Sequence, residues 1–158
     1  MTFIEGGAEN SARLHPAGAS GRAVMGSGSV ARFAAPGSVT DGRFGLFQYT
    51  MPPHAGGPDP HYHKTFSESF YILAGTVQLF DGERWLDASA GDFLHVPERG
   101  VHAFRNDGAV PADMLILFAP APPREVFFTE LAQIAATQRR LSEEEWIEFY
   151  ARHDQYRA

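Results

Sequence analysis

Pro60-His61-Tyr62-His63-Lys64-Thr65-Phe66-Ser67-Glu68-Ser69-Phe70-Tyr71-Ile72-Leu73-Ala74-Gly75 is the stretch on which the reading of this chain turns. On an extended backbone, residues two apart point the same way, so His61 and His63 offer two imidazoles to one point. Glu68 opens the next apolar run and shares a strand face with Phe70 and Ile72. A hairpin between the two segments is expected to return its carboxylate to the histidines. Downstream, beyond Gly91-Asp92 and Pro97, His102 shares a face with Phe104 and Asn106. Three neutral imidazoles and one carboxylate suit a divalent ion such as Fe, Ni, Mn, Co, Cu or Zn. A His-x-His pair alone is equally compatible with unrelated surface groups. The pair followed by Glu, then Gly, then a distant Pro and His is a stronger pattern.

Around this stretch, short β-branched and aromatic runs recur between turn residues. The expected strands are Val30–Ala34, Phe44–Met51, Ser69–Leu73, Val77–Phe80, Arg84–Leu86, Asp92–Val96, His102–Asn106 and Met114–Phe118. Asp81-Gly82 and Asn106-Asp107-Gly108 carry the positive φ angles of tight turns. About eight short strands at this spacing predict a small antiparallel sandwich or barrel. Pro120, Pro122 and Pro123 end the sheet, because proline cannot donate to the ladder. The pattern then turns helical. Phe127, Phe128, Leu131, Ile134 and Ala135 form one stripe, and Ser142 with Glu145 forms a capping box for a second helix carrying Trp146, Phe149, Tyr150 and His153. These aromatics are expected to cover the barrel or a neighbouring subunit. The chain divides into an arm (1–21), a barrel (22–123) and C-terminal helices (124–158).

The 158 residues suit one domain, and 44% hydrophobic with 20% charged residues describes a folded globular chain. The net charge of −6 argues against a nucleic-acid footprint. The absence of cysteine excludes disulfides, thiolate catalysis and cysteine-held metals. No basic segment followed by an apolar run opens the chain, and no apolar stretch is long enough to span a bilayer, so the expected location is the cytoplasm with no membrane partner.

The two histidine-bearing segments resemble the motifs of the cupin superfamily. The first motif has the form G-x5-H-x-H-x3,4-E-x6-G, and His61-Tyr62-His63-x4-Glu68-x6-Gly75 fits its later part. The second has the form G-x5-P-x-G-x2-H-x3-N, and Gly91-x5-Pro97 with His102-x3-Asn106 fits it. Two glycines depart from the pattern: Gly56 lies one residue too close to His61, and Gly100 lies one place late, with Arg99 where the glycine is expected. The resemblance spans about residues 44–119. It implies an all-β double-stranded β-helix, or jelly-roll barrel, with the pair of helices appended. It also implies one divalent metal per chain, held by His61, His63, Glu68 and His102.

The run from Glu68 to Val77 and the segment Phe127–Leu131 are similar to those of small single-domain bacterial cupins, some of them quercetin 2,3-dioxygenase-like. That resemblance implies a dioxygenase acting on an apolar or aromatic small molecule, with dioxygen as co-substrate and Glu68 as catalytic base. The alternatives are a polyketide cyclase or isomerase using the metal as Lewis acid, and a non-catalytic ligand-binding cupin. Sugar-phosphate chemistry is disfavoured, since Lys64 is the one lysine and few arginines are placed to face inward. Gln48, Thr50, Phe66, Phe70, Phe93, His95 and Phe104 are the expected pocket residues. Sheet edges need covering, and the arm and the outward Tyr71 point to a homodimer.

Overall fold

Strict alternation of apolar and polar side chains, as in Phe47-Gln48-Tyr49-Thr50-Met51, builds a strand with one buried face. The computed structural model, which describes residues 11–158, contains all eight expected strands with shifted ends. Its strands are β1 (Arg22–Val24), β2 (Val30–Ala35), β3 (Gly45–Met51), β4 (His61–Tyr62), β5 (Ser67–Ala74), β6 (Thr76–Phe80), β7 (Trp85–Ser89), β8 (Phe93–Val96), β9 (Ala103–Arg105), β10 (Ala112–Ala119) and β11 (Tyr156–Arg157). The additional strands β1, β4 and β11 have two or three residues each, too few to show a period.

Six strands form one sheet in the order β1-β2-β3-β10-β5-β8, and β7-β6-β9 form a smaller one. All pairings are antiparallel. The inward faces of the large sheet supply Phe33, Phe47, Met114, Ile116, Phe118, Phe70 and Ile72, and β6 adds Val77 and Leu79. Their rings meet edge to face: Phe47 lies 5.6 Å from Phe33 and 5.5 Å from Phe118, and Phe66 lies 5.8 Å from Phe118. This is the preferred geometry of aromatic quadrupoles.

After the prolines, α1 (Arg124–Ala136) and α2 (Glu143–Arg152) follow. The Ser142–Glu145 capping box forms as expected, with Glu145 N–H donating to Ser142 Oγ at 3.1 Å and Ser142 N–H donating to Glu145 Oε2 at 2.8 Å. Phe127 and Phe128 seat α1 on the barrel, and Phe149 stacks on Phe127 at 5.6 Å. Neither helix is long and apolar enough to cross a membrane.

Two expectations are corrected. No hairpin joins His61–His63 to Glu68. β4 instead pairs with β11 at the C-terminus and, through a His61–His102 bridge, with the start of β9. The carboxylate arrives from the large sheet, where Glu68 pairs with Phe118 and Val96. The helices also do more than cover the barrel, because they wall its cavity. Of the arm, residues 1–10 lie outside the described residues, and 11–21 form no strand.

Candidate metal centre and its cavity

Two backbone hydrogen bonds, His61 N–H to His102 O at 3.0 Å and His102 N–H to His61 O at 2.9 Å, lock the two ligand-bearing segments side by side. His63 follows on the same face as His61, and Glu68 rises from β5 opposite. The four side chains are all buried, and each offers a ligand atom within 4.8 Å of the others.

Each histidine ring is oriented the same way. His61 Nδ1–H donates to Asp59 O at 2.8 Å, His63 Nδ1–H to Asp154 O at 2.7 Å and His102 Nδ1–H to Gly100 O at 3.0 Å. A carbonyl only accepts, so the proton of each neutral ring sits on Nδ1 and the Nε2 lone pair is left for the centre. Nε2 of His63 and of His102 stand 2.9 and 2.8 Å from the same oxygen, Glu68 Oε2. Two lone pairs facing a carboxylate oxygen require a cation among them, either a proton or a metal ion. The donor set therefore fits a divalent transition ion.

The electrostatics of the cluster agree. Burial, reinforced by His102, lowers the His61 pKa to about 3, so that ring stays neutral. Burial would raise Glu68, but the charge and hydrogen bonds of His102 and His63 outweigh it and hold the carboxyl well below its usual range. Burial also pulls His102 down, and there the Glu68 carboxylate wins and raises it.

His61 and Glu68 open onto a cavity of about 560 Å³. Its walls are largely apolar: Tyr49, Phe104 and Ile116 from the barrel, and Phe127, Phe128, Leu131, Ile134 and Trp146 from the helices. Burial pushes the Tyr49 phenol up to about 12, so it stays protonated.

Of the expected pocket residues, Phe104 lines this cavity. Phe66 stacks on His63 at 4.2 Å and Phe70 lies 6.0 Å from His102, so both back the ligands instead of facing the cavity. Gln48 and Thr50 are on the outer face of β3, hydrogen-bonded to Asp113 at 2.8 and 3.1 Å. The strand alternates, and Phe47, Tyr49 and Met51 take the inner face. Phe93 is 63% exposed, and His95, on the same outer face of β8, shares a 2.9 Å hydrogen bond with Ser69 Oγ.

Sequence reasoning missed the helical wall and one cation within it, Arg124. The signal was a single arginine opening a helix directly after the prolines, at the head of an aromatic stripe. The closing Asn106 of the second motif does not touch the cluster. Its Nδ2 donates to Pro52 O at 3.0 Å and Val110 O at 2.9 Å, tying two loops together. Of the two glycine departures, the one at Gly100 resolves locally, whereas Gly56 has open space around it and no positive φ. Arg99 adopts the positive φ of 66° at the place where the motif has glycine. Gly57 comes so close to Phe104 that a Cβ there would lie 1.8 Å from its carbonyl oxygen.

Two facing antiparallel sheets that bury three histidines and a glutamate beside an apolar cavity define a double-stranded β-helix with a single-ion donor set. Residues 47–118 match the cupin domain model, and this part of the chain is a cupin domain. Over 76 residues it is 34% identical to quercetin 2,3-dioxygenase of Bacillus subtilis, a match covering 48% of this chain and 22% of that protein. The chain thus matches about a fifth of that relative's length. A cupin sugar phosphate isomerase from Silicibacter pomeroyi superposes with a TM-score of 0.53 at 23% identity, covering 60% of this chain and 61% of that one. The polyketide cyclase RemF from Streptomyces resistomycificus superposes with a TM-score of 0.53 at 20% identity, over 60% of this chain and 68% of that one. At these identities the two structural likenesses are of fold alone.

Proposed function

We propose that this chain is a metal-dependent dioxygenase of the quercetinase kind, acting on a small, largely apolar aromatic substrate. The observation that carries the reading is the convergence of His61, His63, Glu68 and His102 at the base of an apolar, aromatic-walled cavity. The sequence likeness to quercetin 2,3-dioxygenase over 76 residues supports it. These four residues would hold one divalent ion, Fe, Ni, Mn, Co, Cu or Zn. When bound, the ion supplies Lewis acidity and open positions for oxygen donors, dioxygen included.

The chain's own groups do the rest. Phe104, Phe127, Phe128 and Trp146 exclude water and hold a flat ring. The Glu68 carboxylate, ionised at neutral pH and open to the cavity, accepts the proton of a substrate hydroxyl that reaches hydrogen-bond distance. Tyr49 stays a neutral donor at the wall.

The test begins with metal content by elemental mass spectrometry, for the wild type and for His61→Ala, His63→Ala and His102→Ala. Wild type is expected to carry near one equivalent and each variant to lose it; retention by all three removes the ligand assignment. Dioxygen uptake with quercetin and a panel of smaller phenols follows. Uptake that disappears in Glu68→Gln supports the dioxygenase. Product formed equally under nitrogen replaces it with Lewis-acid cyclisation or isomerisation, and saturable binding without turnover replaces it with a ligand-binding cupin.

A further inference from the structure

Arg124 is the buried cation of the cavity, which an apolar substrate leaves unused; the other arginine of the lining, Arg139, is exposed and paired with Glu145 at 3.0 Å. Arg124 opens α1 and lines the cavity together with Glu68, yet the side chain is 4% exposed. Its guanidinium lies 3.7 Å over the ring of Phe127 and is flanked by Phe118 at 5.3 Å and Phe128 at 5.6 Å. Its donors are only partly used. Nη2 donates to Gln155 Oε1 at 3.1 Å, Nη1 reaches His153 O at 3.4 Å, and Nε–H is buried without an acceptor. Among the described residues, no carboxylate stands within ion-pair distance of it. Burial lowers its pKa to about 10, with Glu68 and Asp154 opposing from farther away, so it keeps its charge at neutral pH.

A buried cation with a free donor and no carboxylate partner is an expensive arrangement, since unpaired buried charge and unsatisfied buried N–H both destabilise a fold. Tethering α1 to the C-terminal segment needs only a neutral donor to Gln155. The aromatic faces stabilise the cation, and its in-plane N–H fork is only partly filled, by Gln155 and His153. An oxyanion entering the cavity would meet the charge of the guanidinium, while the Nε–H itself is enclosed by protein.

We propose that Arg124 recognises an anionic oxygen group, a carboxylate or phenolate, on an otherwise aromatic ligand in this cavity. The inference rests on the preceding reading only in taking the cavity as the substrate site, and it narrows the substrate class to anionic aromatics. The matched probes are 2-naphthoate and its neutral isostere 2-naphthamide, titrated calorimetrically into the full-length protein as purified and after chelation.

The expected result is that 2-naphthoate binds at least about tenfold more tightly than 2-naphthamide, with or without chelation. Arg124→Met is expected to abolish that preference while leaving naphthamide binding in place. Equal binding of the two probes overturns the proposal, as does failure of both to bind below about 1 mM. A preference that disappears on chelation assigns the anion to the metal centre instead, which overturns the role of Arg124 and leaves the dioxygenase reading standing. Should circular dichroism show Arg124→Met unfolded, Arg139→Met decides: a preference that survives both chelation and loss of the other lining arginine supports Arg124, and one that is lost with Arg139 overturns the proposal. Conversely, absence of dioxygen uptake alongside an intact naphthoate preference removes the dioxygenase and keeps the anion site.

Discussion

Each ligating histidine spends its Nδ1 proton on a backbone carbonyl, so the state of the cluster is set by what occupies the space between the Nε2 atoms and Glu68. In the metal-free chain that occupant is expected to be a proton shared by His102 and Glu68, which stand 2.8 Å apart. A pH signature follows. His102 has a raised folded value, so its contribution is complete below the ordinary 6.5 and is lost as pH rises through that raised value. His61 acts oppositely: its folded value near 3 means that below 6.5 the unfolded chain takes a proton that the buried ring refuses, weakening the fold. Glu68 adds stability above its ordinary 4.5 that is lost as pH falls through its depressed folded value. The chelated protein is therefore expected to be most stable near about pH 6.5 and to weaken on both sides. A bound divalent ion replaces the His102 proton, so the alkaline limb should vanish in zinc-loaded protein. Urea midpoints from about pH 5 to about pH 9 measure both curves. A chelated protein that grows steadily more stable up to the alkaline end contradicts the shared proton.

At the scale of elements, the ligand centre is closed by a segment about ninety residues away in sequence. The carbonyl of Asp154 orients His63, while its carboxylate accepts from Lys64 N–H at 3.1 Å, Thr65 N–H at 2.9 Å and Thr65 Oγ1 at 2.6 Å. Asp154 does this from a left-handed backbone, φ 53°, which Asp and Asn tolerate better than other side chains. Asp154→Ala is expected to lose about 2–3 kcal/mol of stability and about tenfold in metal affinity. Asp154→Asn, keeping the backbone preference, should lose less of each. Urea unfolding and competition with a chromophoric chelator measure the two losses. Unchanged metal affinity in a destabilised Asp154→Ala would show that His63 holds its orientation without this segment.

The sequence made half of this arrangement legible. His61, His63, Glu68 and His102 stand at period-two positions beside turn residues, which is how a barrel presents ligands. The alternating strands likewise announce themselves through one-sided burial. What stayed hidden was non-local. Two-residue strands such as β4 and β11 carry no period of their own and exist only because each finds the other. Gln48 and Thr50 alternate as pocket residues would, yet alternation alone does not say which face is inside; Asp113 on β10 settles it by drawing both outward. Phe127, Phe128 and Leu131 read as a packing stripe, and only docking of α1 over the barrel mouth turns them, with Arg124, into a cavity wall.

At the scale of the whole molecule, the large sheet has two unlike outer halves. Toward β2, Arg32, Gln48, Thr50 and Asp113 form a hydrogen-bonded polar group. Toward β8, Tyr71 and Phe93 pair across the ladder, 43% and 63% exposed, with Leu73 beside them. Among the described residues, β8 is also the last strand of its sheet, with one edge unpaired. Exposed apolar side chains next to a free strand edge form the surface a soluble chain must cover, and a second copy rotated by two-fold symmetry covers both patches with one contact. A homodimer is therefore expected to use this half of the sheet, which would leave the cavity, at the opposite face, open to ligand. Light scattering on the purified protein should give twice the chain mass. Phe93→Lys should yield a monomer of unchanged fold, because the side chain is exposed and contributes little to the core. A wild type that is monomeric at micromolar concentration rules out the dimer. A Phe93→Lys variant that stays dimeric moves the interface elsewhere, and the described half of the arm, which leads into β1, the strand at the other end of the sheet, is then the next surface to alter.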